Sequence, residues 1–271
     1  MATTAWIGRV TAAFLWRGWA VLVSLCLLAA LWQVGHEVYG GLVLPSPMDT
    51  LRALGALVAE GVALPAALET ARDALMGFGL AAVAGVLIGA AAGLSVTVGR
   101  LLEPLVRFFL GVPAIAWVVL ALIWFAGSGL AAVFTVVVTT LPVVIIGAMQ
   151  GARTLDGEVL DMARAFRAPL GVRIVDIYVP HILSYVFPAL ATAMGLSWKL
   201  AVMAEVLGGT AGIGEGLSLA RVNIDTADAM AWILLALIML LSLEGLVMDP
   251  LRRRLEPWRA TRGQAARERR S

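Results

Sequence analysis

The stretch Leu130-Ala-Ala-Val-Phe-Thr-Val-Val-Val-Thr-Thr-Leu-Pro-Val-Val-Ile-Ile-Gly-Ala-Met149 contains no charged side chain. A run of roughly 20 mostly apolar residues is what a helix needs to cross the hydrocarbon core of a bilayer. The alternation of apolar and polar residues that is typical of an outer-membrane barrel strand is absent from this stretch. It therefore predicts a transmembrane α-helix.

Five other segments of the chain have comparable length and composition. They are residues 16–34, 74–96, 105–125, 182–207 and 229–248, and with residues 130–149 they make six segments. Hydrophobic residues make up 61% of the chain and charged residues 14%, whereas soluble domains have about 45–50% and about 25%. This composition excludes a soluble enzyme, a disordered chain and a secreted disulfide scaffold. We therefore expect an all-α integral membrane protein with six transmembrane helices in a single domain, residues 1–271.

The distribution of arginines predicts the orientation of these helices. If the N-terminus lies in the cytoplasm, the opposite side of the membrane carries only Arg52, Arg72 and Arg221, and the cytoplasmic segments carry the other arginines. Cytoplasmic segments of membrane proteins have the excess of basic residues. We therefore expect both termini and the loop of residues 151–180 in the cytoplasm. The basic tail, residues 251–271, would bind membrane lipid, so it requires no nucleic-acid partner.

The sequence has none of the patterns that supply catalysis or metal binding. The only lysine, Lys199, follows Trp198 and precedes Leu200, so the chain has no Gly-Lys-Ser/Thr phosphate-binding loop. The two histidines, His36 and His181, are far apart and have no second ligand at metal spacing. We expect no catalytic residue, no metal site and no cofactor in this chain.

The second predicted helix has glycines at every fourth position, Gly85, Gly89 and Gly93. Small residues on one face allow helix backbones to approach closely in lipid. The partner of this face would be another helix of the same chain or a second copy of the protein. The pattern alone allows both.

Two further features concern the shape of the predicted helices and loops. Prolines inside the third, fourth and fifth helices each remove a hydrogen bond and can kink the helix. They are Pro113, Pro142 and Pro188. In the loop after the first helix, apolar residues between Leu51 and Val58 have helical spacing, which predicts a short amphipathic helix at the membrane surface.

The loop of residues 151–180 is the most informative about function. It contains Leu155-Asp-Gly-Glu-Val-Leu-Asp-Met-Ala-Arg-Ala-Phe-Arg-Ala-Pro-Leu-Gly-Val-Arg-Ile-Val-Asp-Ile-Tyr-Val-Pro180. Apolar residues with helical spacing stand among its charged residues: Val159, Leu160, Ala163 and Phe166. A short amphipathic helix of this kind would bind a groove on a partner protein or rest on the membrane surface. The spacing alone favours neither.

This loop resembles the coupling loop of ABC importer permeases. The family pattern is Glu-Ala-Ala, three residues, Gly, about a dozen residues and Pro. The sequence begins the pattern with Asp161, Met162 and Ala163, ends it at Pro180, and has Arg167 where the family has Gly. The resemblance implies that the short helix, including Phe166, occupies a cleft of an ATPase subunit and transmits its motion to the membrane helices.

Other stretches resemble the branch of this family that transports nitrate, sulfonates, taurine and related ions. In chain order they are Leu44-Pro45-Ser46-Pro47, Pro113-Ala-Ile-Ala-Trp117, Leu122-Ile-Trp-Phe-Ala-Gly127, Gly195-Leu-Ser-Trp198 with Glu205, Gly212-Ile-Gly214 and Arg254-Leu-Glu-Pro-Trp258. The resemblance covers nearly all of residues 40–258. It implies the smaller, type I fold of ABC importer permeases.

Two ionisable residues, Lys199 and Glu205, lie inside the fifth predicted helix, where a charge costs roughly 2.5–3.5 kcal/mol. They are about 240° apart around the helix, so they do not face each other. Lys199 would line the translocation path and attract an anion, or reach the external interface, or pair with Glu244. Glu205 would hydrogen-bond loop backbone at an outer gate or contact the solute. Trp117 and Trp198 would line the path or pack in the core.

The resemblance implies a function and a set of partners. We expect ATP-driven uptake of a small, anionic solute across the bacterial inner membrane by alternating access. The partners would be two ATPase subunits that hold ATP and Mg²⁺, a periplasmic or lipid-anchored binding protein, and a second permease copy. An ion-coupled secondary transporter is the alternative, for which two repeats or a relay of buried carboxylates would be expected. A membrane enzyme would need clustered His, Asp or Glu residues.

Overall fold

A computed structural model describes residues 2–125, 127–155 and 157–248. Every regular element in these ranges is a helix, which confirms the predicted fold class. The helices are α1 (Ala2–Tyr39), α2 (Pro47–Ala59), α3 (Ala63–Leu94), α4 (Val96–Gly111), α5 (Ala114–Phe125), α6 (Leu130–Arg153), α7 (Gly157–Ala165), α8 (Leu170–Val172), α9 (Val179–Gly208), α10 (Ile213–Val222) and α11 (Thr226–Leu243). π-helical turns join α8 to α9 and extend α11. The basic tail, residues 251–271, and the stretch 254–258 lie outside the described residues.

Five helical segments are long and apolar enough to cross a membrane. They are Trp19–Tyr39, Ala63–Leu94, Leu130–Arg153, Leu170–Gly208 and Thr226–Leu246. A sixth crossing exists only if α4 and α5 form one broken span, because their axes are bent by 89°. The described part of the chain thus contains five or six candidate transmembrane helices.

The third predicted span, residues 105–125, is not one continuous helix. α4 ends at Gly111 and α5 begins at Ala114. Pro113 stands in this break, where it has no backbone N–H to donate and disfavours helical geometry in the preceding residue. That residue, Val112, is extended, with φ −79° and ψ 126°. The 12 residues of α5 span about 18 Å, which is shorter than a bilayer core of about 30 Å.

The boundary between the second and third spans also differs from the prediction. The polar residues 100–103, which fall between the predicted spans 74–96 and 105–125, lie inside α4. The break falls at Ser95, whose backbone is extended and whose side chain accepts a hydrogen bond from the Val98 N–H. An N-terminal serine cap begins the new helix here. α3 also begins at Ala63, earlier than the predicted residue 74.

The glycines of α3 pack against α6 of the same chain. A Cβ atom on Gly85 would lie 2.7 Å from Val144 Cβ, and one on Gly89 would lie 2.7 Å from Ala148 Cβ. Gly93 faces Ala152 in the same way. The glycine face therefore serves intramolecular packing, which was one of the two possibilities left by the sequence.

The same contacts define how the three central helices run. Gly77 lies against Val136, whereas Gly93, near the other end of α3, lies against Ala152, so α3 and α6 run parallel. α6 uses its own glycine, Gly147, to meet Ala189 of the antiparallel α9. Since α3 and α6 are parallel, α4 and α5 must return the chain to the end at which α3 began.

The first two helices attach to this core near one end of the molecule. Trp32 of α1 donates its indole N–H to the Pro45 carbonyl (2.9 Å), and His36 Nδ1 lies 2.7 Å from the Leu44 carbonyl oxygen. Ser46 caps α2, because its hydroxyl accepts the Asp49 N–H (3.1 Å). α2 packs one side against α11, so protein rather than lipid covers part of the apolar face that the sequence placed at the membrane surface.

Candidate functional site at the two ends of the molecule

The end of the molecule that carries α7, together with the adjoining ends of α6 and α9, is called the α7 end below. The apolar side of α7 is largely uncovered in the chain. Phe166, directly after the last residue of α7, is 80% exposed and Met162 is 55% exposed, whereas Ala163 is buried. Asp161 pairs with Arg164 at 2.9 Å, but both side chains are mostly exposed, so the pair contributes little stability. α7 thus presents an apolar surface within a charged loop.

Arg167 gives α7 a definite C-terminal end. Its backbone is left-handed, with φ 53°. Its N–H donates to the Arg164 carbonyl and the Ala168 N–H donates to the Ala163 carbonyl, both at 2.9 Å. These two bonds form a Schellman cap, in which the left-handed position is usually glycine. The residue that stands where the related coupling loops have Gly therefore adopts the backbone conformation that favours Gly.

At the α7 end, the two long helices α6 and α9 contact each other. Thr154, directly after α6, has its hydroxyl 3.2 Å from His181 Nε2 in the first turn of α9. Pro180 also lies in the first turn of α9, where a missing N–H is harmless. A π-helical turn over Arg173–Tyr178 leads into this helix. The end of α6 and the start of α9 are therefore in contact on either side of the loop that contains α7.

The opposite end of the molecule, called the Glu205 end below, contains a fully buried carboxylate. Glu205 lies in the last turn of α9 and has 0% exposure. Its Oε2 accepts hydrogen bonds from the Thr70 hydroxyl of α3 (2.8 Å) and from the Gly214 N–H of α10 (2.9 Å). Thr70 Oγ1 in turn accepts the Ile213 N–H (2.9 Å). One carboxylate thus ties three helices together.

Glycines make this arrangement sterically possible. Gly209 ends α9 in a left-handed conformation (φ 59°), and Gly212 precedes α10 with φ 126°. A Cβ atom on Gly212 would lie 2.5 Å from Glu205 Oε2, and one on Gly214 would lie 2.6 Å from the Val202 carbonyl oxygen. The Gly214 N–H, which has no partner within α10, can therefore reach the carboxylate.

The expected hydrogen bond between Glu205 and loop backbone is therefore present, whereas its role in a gate stays a prediction. Thr70 was missed by the sequence analysis. The apolar window set the start of the second helix at residue 74 and left Thr70 in a loop. A polar residue two turns inside the N-terminus of a longer helix was the signal that could have indicated it.

Comparison with known proteins identifies the family of this chain. A model of the family described as the binding-protein-dependent transport system inner membrane component matches residues 81–261. This chain belongs to that family. The match begins within α3 and includes both the α7 end and Glu205.

The permease is similar to curated proteins along most of its length. It is 29% identical over 204 residues to the nitrate import permease protein of Synechococcus elongatus, covering 71% of this chain and 73% of the relative. It is 26% identical over 221 residues to a permease protein of Bacillus subtilis assigned to aliphatic sulfonate transport, covering 80% of each. It is 25% identical over 238 residues to the taurine transport system permease protein of Escherichia coli, covering 86% of each. The chain is an ABC transporter permease of the nitrate, sulfonate and taurine type.

The other predicted path residues of the permease are not brought together with Glu205. Trp198 is buried, and its indole N–H donates to the Ala236 carbonyl of α11 (3.0 Å), which is the core-packing alternative. Trp117 stacks on Phe109 across the Pro113 break, with ring centroids 5.3 Å apart. Its buried Nε1 has no hydrogen-bond partner within the described ranges.

Lys199 has an exposed side chain on α9. The ion pairs found between described residues do not include one between Lys199 and Glu244. Six residues separate Lys199 from Glu205, so it lies about 9 Å along the helix axis from the buried carboxylate. An exposed cation at this depth of an apolar helix would face lipid, a second copy or a water-filled path.

Proposed function

We propose that this permease forms the membrane pathway of an ATP-driven importer that moves a small anionic solute inward by alternating access. The apolar, exposed α7 is the observation that supports the proposal most strongly. An 80% exposed phenylalanine on a short amphipathic helix has the form that docks in a groove of another protein. The C-terminal cap of α7 at Arg167 would hold the Phe166 side chain in a fixed position.

The partners follow from this assignment. Two ATPase subunits, which hold ATP and Mg²⁺, would bind the α7 ends of two permease copies. A periplasmic or lipid-anchored binding protein would deliver the solute to the Glu205 end. The Glu205 end would then face outward, and the α7 end and both termini would lie on the cytoplasmic side of a bacterial inner membrane, in agreement with the arginine distribution. The proposed ATPase-coupling residues are Asp161, Met162, Ala163, Phe166, Arg167 and Pro180.

The connections between the two ends support a mechanism. When the ATPase dimer closes, α7 would move with it. The Thr154–His181 contact would carry this movement to α6 and α9. α9 has 30 residues and so extends for about 45 Å, with Glu205 in its last turn. A shift of α9 would strain the hydrogen bonds of Glu205 and open the outer end to the solute.

The chemistry of the solute is proposed from the relatives and from Lys199. The named solutes of the relatives, nitrate, aliphatic sulfonates and taurine, all carry a negatively charged group. Lys199 would offer such a group a positive charge. The unpartnered indole N–H of Trp117 would offer a hydrogen bond. We expect Lys199→Met to lower uptake strongly and Lys199→Arg to retain it. Unchanged uptake by Lys199→Met would remove Lys199 from the path.

The first test is co-purification of the tagged permease from its native membranes in mild detergent. Wild type is compared with Phe166→Asp and with a matched control, Leu42→Asp, which changes a side chain of 81% exposure near the other end. We expect an ATPase subunit to co-purify with wild type and the control, and to be lost from Phe166→Asp. Folded wild-type protein without any ATPase would contradict the proposal and favour an ion-coupled transporter.

A further inference from the structure

A cavity beside the Glu205 network has a chemistry that an anion-selective path does not explain. It has a volume of about 340 Å³ and lies where α3 meets the turn before α6 and the turn after α9. Its lining residues are Glu69, Asp73, Gly127, Gly129, Gly208, Gly209, Thr210 and Ala211. The two ionisable residues in this lining are both carboxylates.

Asp73 is the most unusual of these residues. The residue is only 6% exposed, yet its carboxylate has no hydrogen bond or ion pair with any described residue. Its Oδ2 lies 2.8 Å from the position that a Cβ atom on Gly129 would occupy, so glycine in the facing turn leaves space for the carboxylate. The Asp73 oxygens are not among the fully enclosed atoms without a partner, and they line the cavity, so a positively charged group in the cavity could reach them.

The ionisable side chains around Asp73 are mostly acidic, although its carboxylate also lies beside the N-terminus of α6, the positive end of that helix. Glu69 lies one helical turn before it, and Glu205 is close enough to interact with both carboxylates. Arg72 is the nearby cation, but its guanidinium pairs with Glu69 at 3.0 Å and is mostly exposed. Three carboxylates and one arginine leave this region with a net negative charge. Such a region attracts cations and disfavours simple anions.

The size of the cavity and the carboxylates that line it indicate the class of cation. Its volume falls within the range of small-molecule pockets, about 300–1,000 Å³, and exceeds what a bare ion needs. In the described residues no group of three or more His, Cys, Asp or Glu side chains converges as a metal site. A compact ammonium group on a small solute fits these features.

We propose that the Asp73 cavity binds the positively charged amino group of a small solute, so that the imported solute is a zwitterion with an amino group and an acidic group. The link to import rests on the function proposed above, whereas cation binding by the cavity does not. In such a path, Asp73 and Glu69 would hold the amino group near the Glu205 end.

Binding can be measured without transport. The full-length permease, with the ATPase subunits that purify with it, is heated in detergent, and the Tm is followed by tryptophan fluorescence. The buffer contains N-methylglucamine chloride, part of which is replaced by ethylammonium chloride, sodium chloride or potassium chloride at constant ionic strength. We expect ethylammonium to raise the Tm by about 3 °C or more at saturating concentration, and sodium and potassium to have smaller effects.

Asp73→Asn and the control Glu60→Gln, which neutralises an exposed carboxylate just before α3, decide between explanations. We expect Asp73→Asn to abolish the ethylammonium shift and to have a higher Tm than wild type in N-methylglucamine chloride, because an uncompensated charge is removed. Glu60→Gln should respond as wild type does.

Two results would overturn the proposal. If Asp73 instead stabilises the N-terminus of α6, Asp73→Asn will lower the Tm and ethylammonium will have no effect on wild type. Equal shifts with sodium, potassium and ethylammonium would assign the site to free inorganic cations and exclude the zwitterion.

Uptake assays with taurine and with isethionate, which has a hydroxyl group in place of the amino group, then test the solute. Taurine should compete for uptake more strongly than isethionate in wild type. The two compounds should compete equally in Asp73→Asn. Loss of the importer assignment in the ATPase co-purification would leave the Tm result unaffected.

Discussion

The two ends of the permease solve the same backbone problem in different ways. At the α7 end, the left-handed position is occupied by Arg167, whose side chain is exposed. At the Glu205 end, the positive-φ positions are Gly209 and Gly212, and a Cβ on Gly212 would collide with the buried Glu205 carboxylate. A non-glycine residue is thus tolerated where the turn faces open space. Glycine is required where the backbone packs against a buried charge.

The two ends also differ in how far contacts within the chain cover their side chains. At the Glu205 end, Oε2 of the carboxylate accepts hydrogen bonds from Thr70 and Gly214, which join the three helices within the chain, whereas the buried Oε1 has no partner among the described residues. The α7 end leaves Phe166 uncovered by the chain, and under the proposed function an ATPase subunit would bury it. Substitutions at the Glu205 end should therefore change stability, whereas those on the exposed face of α7 should change binding.

The largest effect on stability is expected from Glu205→Ala. This change leaves the buried Gly214 N–H without an acceptor and creates a cavity, so we expect a loss of about 2–3 kcal/mol. Glu205→Gln keeps an acceptor oxygen and should lose less. The Tm in detergent measures both. A Glu205→Ala protein as stable as wild type would show that the network does not hold the three helices together.

A smaller loss is expected from Gly214→Ala. The new Cβ would approach two backbone atoms, the Val202 oxygen and the Val206 nitrogen, at 2.6 Å, and we expect a cost of about 2 kcal/mol. Gly209→Ala meets no atom within 4 Å and suffers only from its positive φ, so it should cost about 1 kcal/mol. Thermal unfolding of the two variants side by side checks the order. The reverse order would mean that close packing against α9 is not what requires glycine.

The smallest effect, and one of opposite sign, is expected from Arg167→Gly. Relief of the left-handed conformation should outweigh the greater freedom of glycine in the unfolded chain, giving a gain of about 0.5–1 kcal/mol in the stability of the α7 cap. Amide hydrogen exchange of residues 163–168 would detect this gain, and ATPase co-purification should persist. Ile224→Gly is the matched control variant for Arg167→Gly, because Ile224 is also exposed and its backbone is also left-handed, with φ 58°. Faster exchange in Arg167→Gly would show that the arginine side chain itself stabilises the loop.

Apolar length and helical spacing were sufficient to predict the fold class and the amphipathic character of α7. Pro113 indicated a possible kink, but neither the proline nor the apolar composition, which continues through both helices, could predict that the helix breaks there and turns by 89°. The spacing of Gly85, Gly89 and Gly93 predicted a close helix contact but not its partner. That partner, α6, is fixed only by how the chain returns through α4 and α5.

The polar site was predicted only in part. Glu205 and the Gly212–Gly214 turn were recognisable, because an acidic residue inside an apolar helix and a glycine pair after it stand out locally. Thr70 and Asp73 were not, since each acquires its role from residues far away in the sequence: Thr70 from Glu205, and Asp73 from the turn at Gly129. Trp198 could equally have lined a path, and its hydrogen bond to Ala236 requires the position of α11.

Hydrogen exchange of the purified permease, alone and with its ATPase, tests the contrast between the two ends most directly. We expect the amides of residues 157–168 to exchange more slowly when the ATPase is bound, because Phe166 is then buried. The amides of Ile213 and Gly214 should exchange slowly in both samples, because Thr70 and Glu205 already bind them. Equal exchange in residues 157–168 with and without the ATPase, or fast exchange at Ile213 and Gly214 in the permease alone, would contradict this contrast.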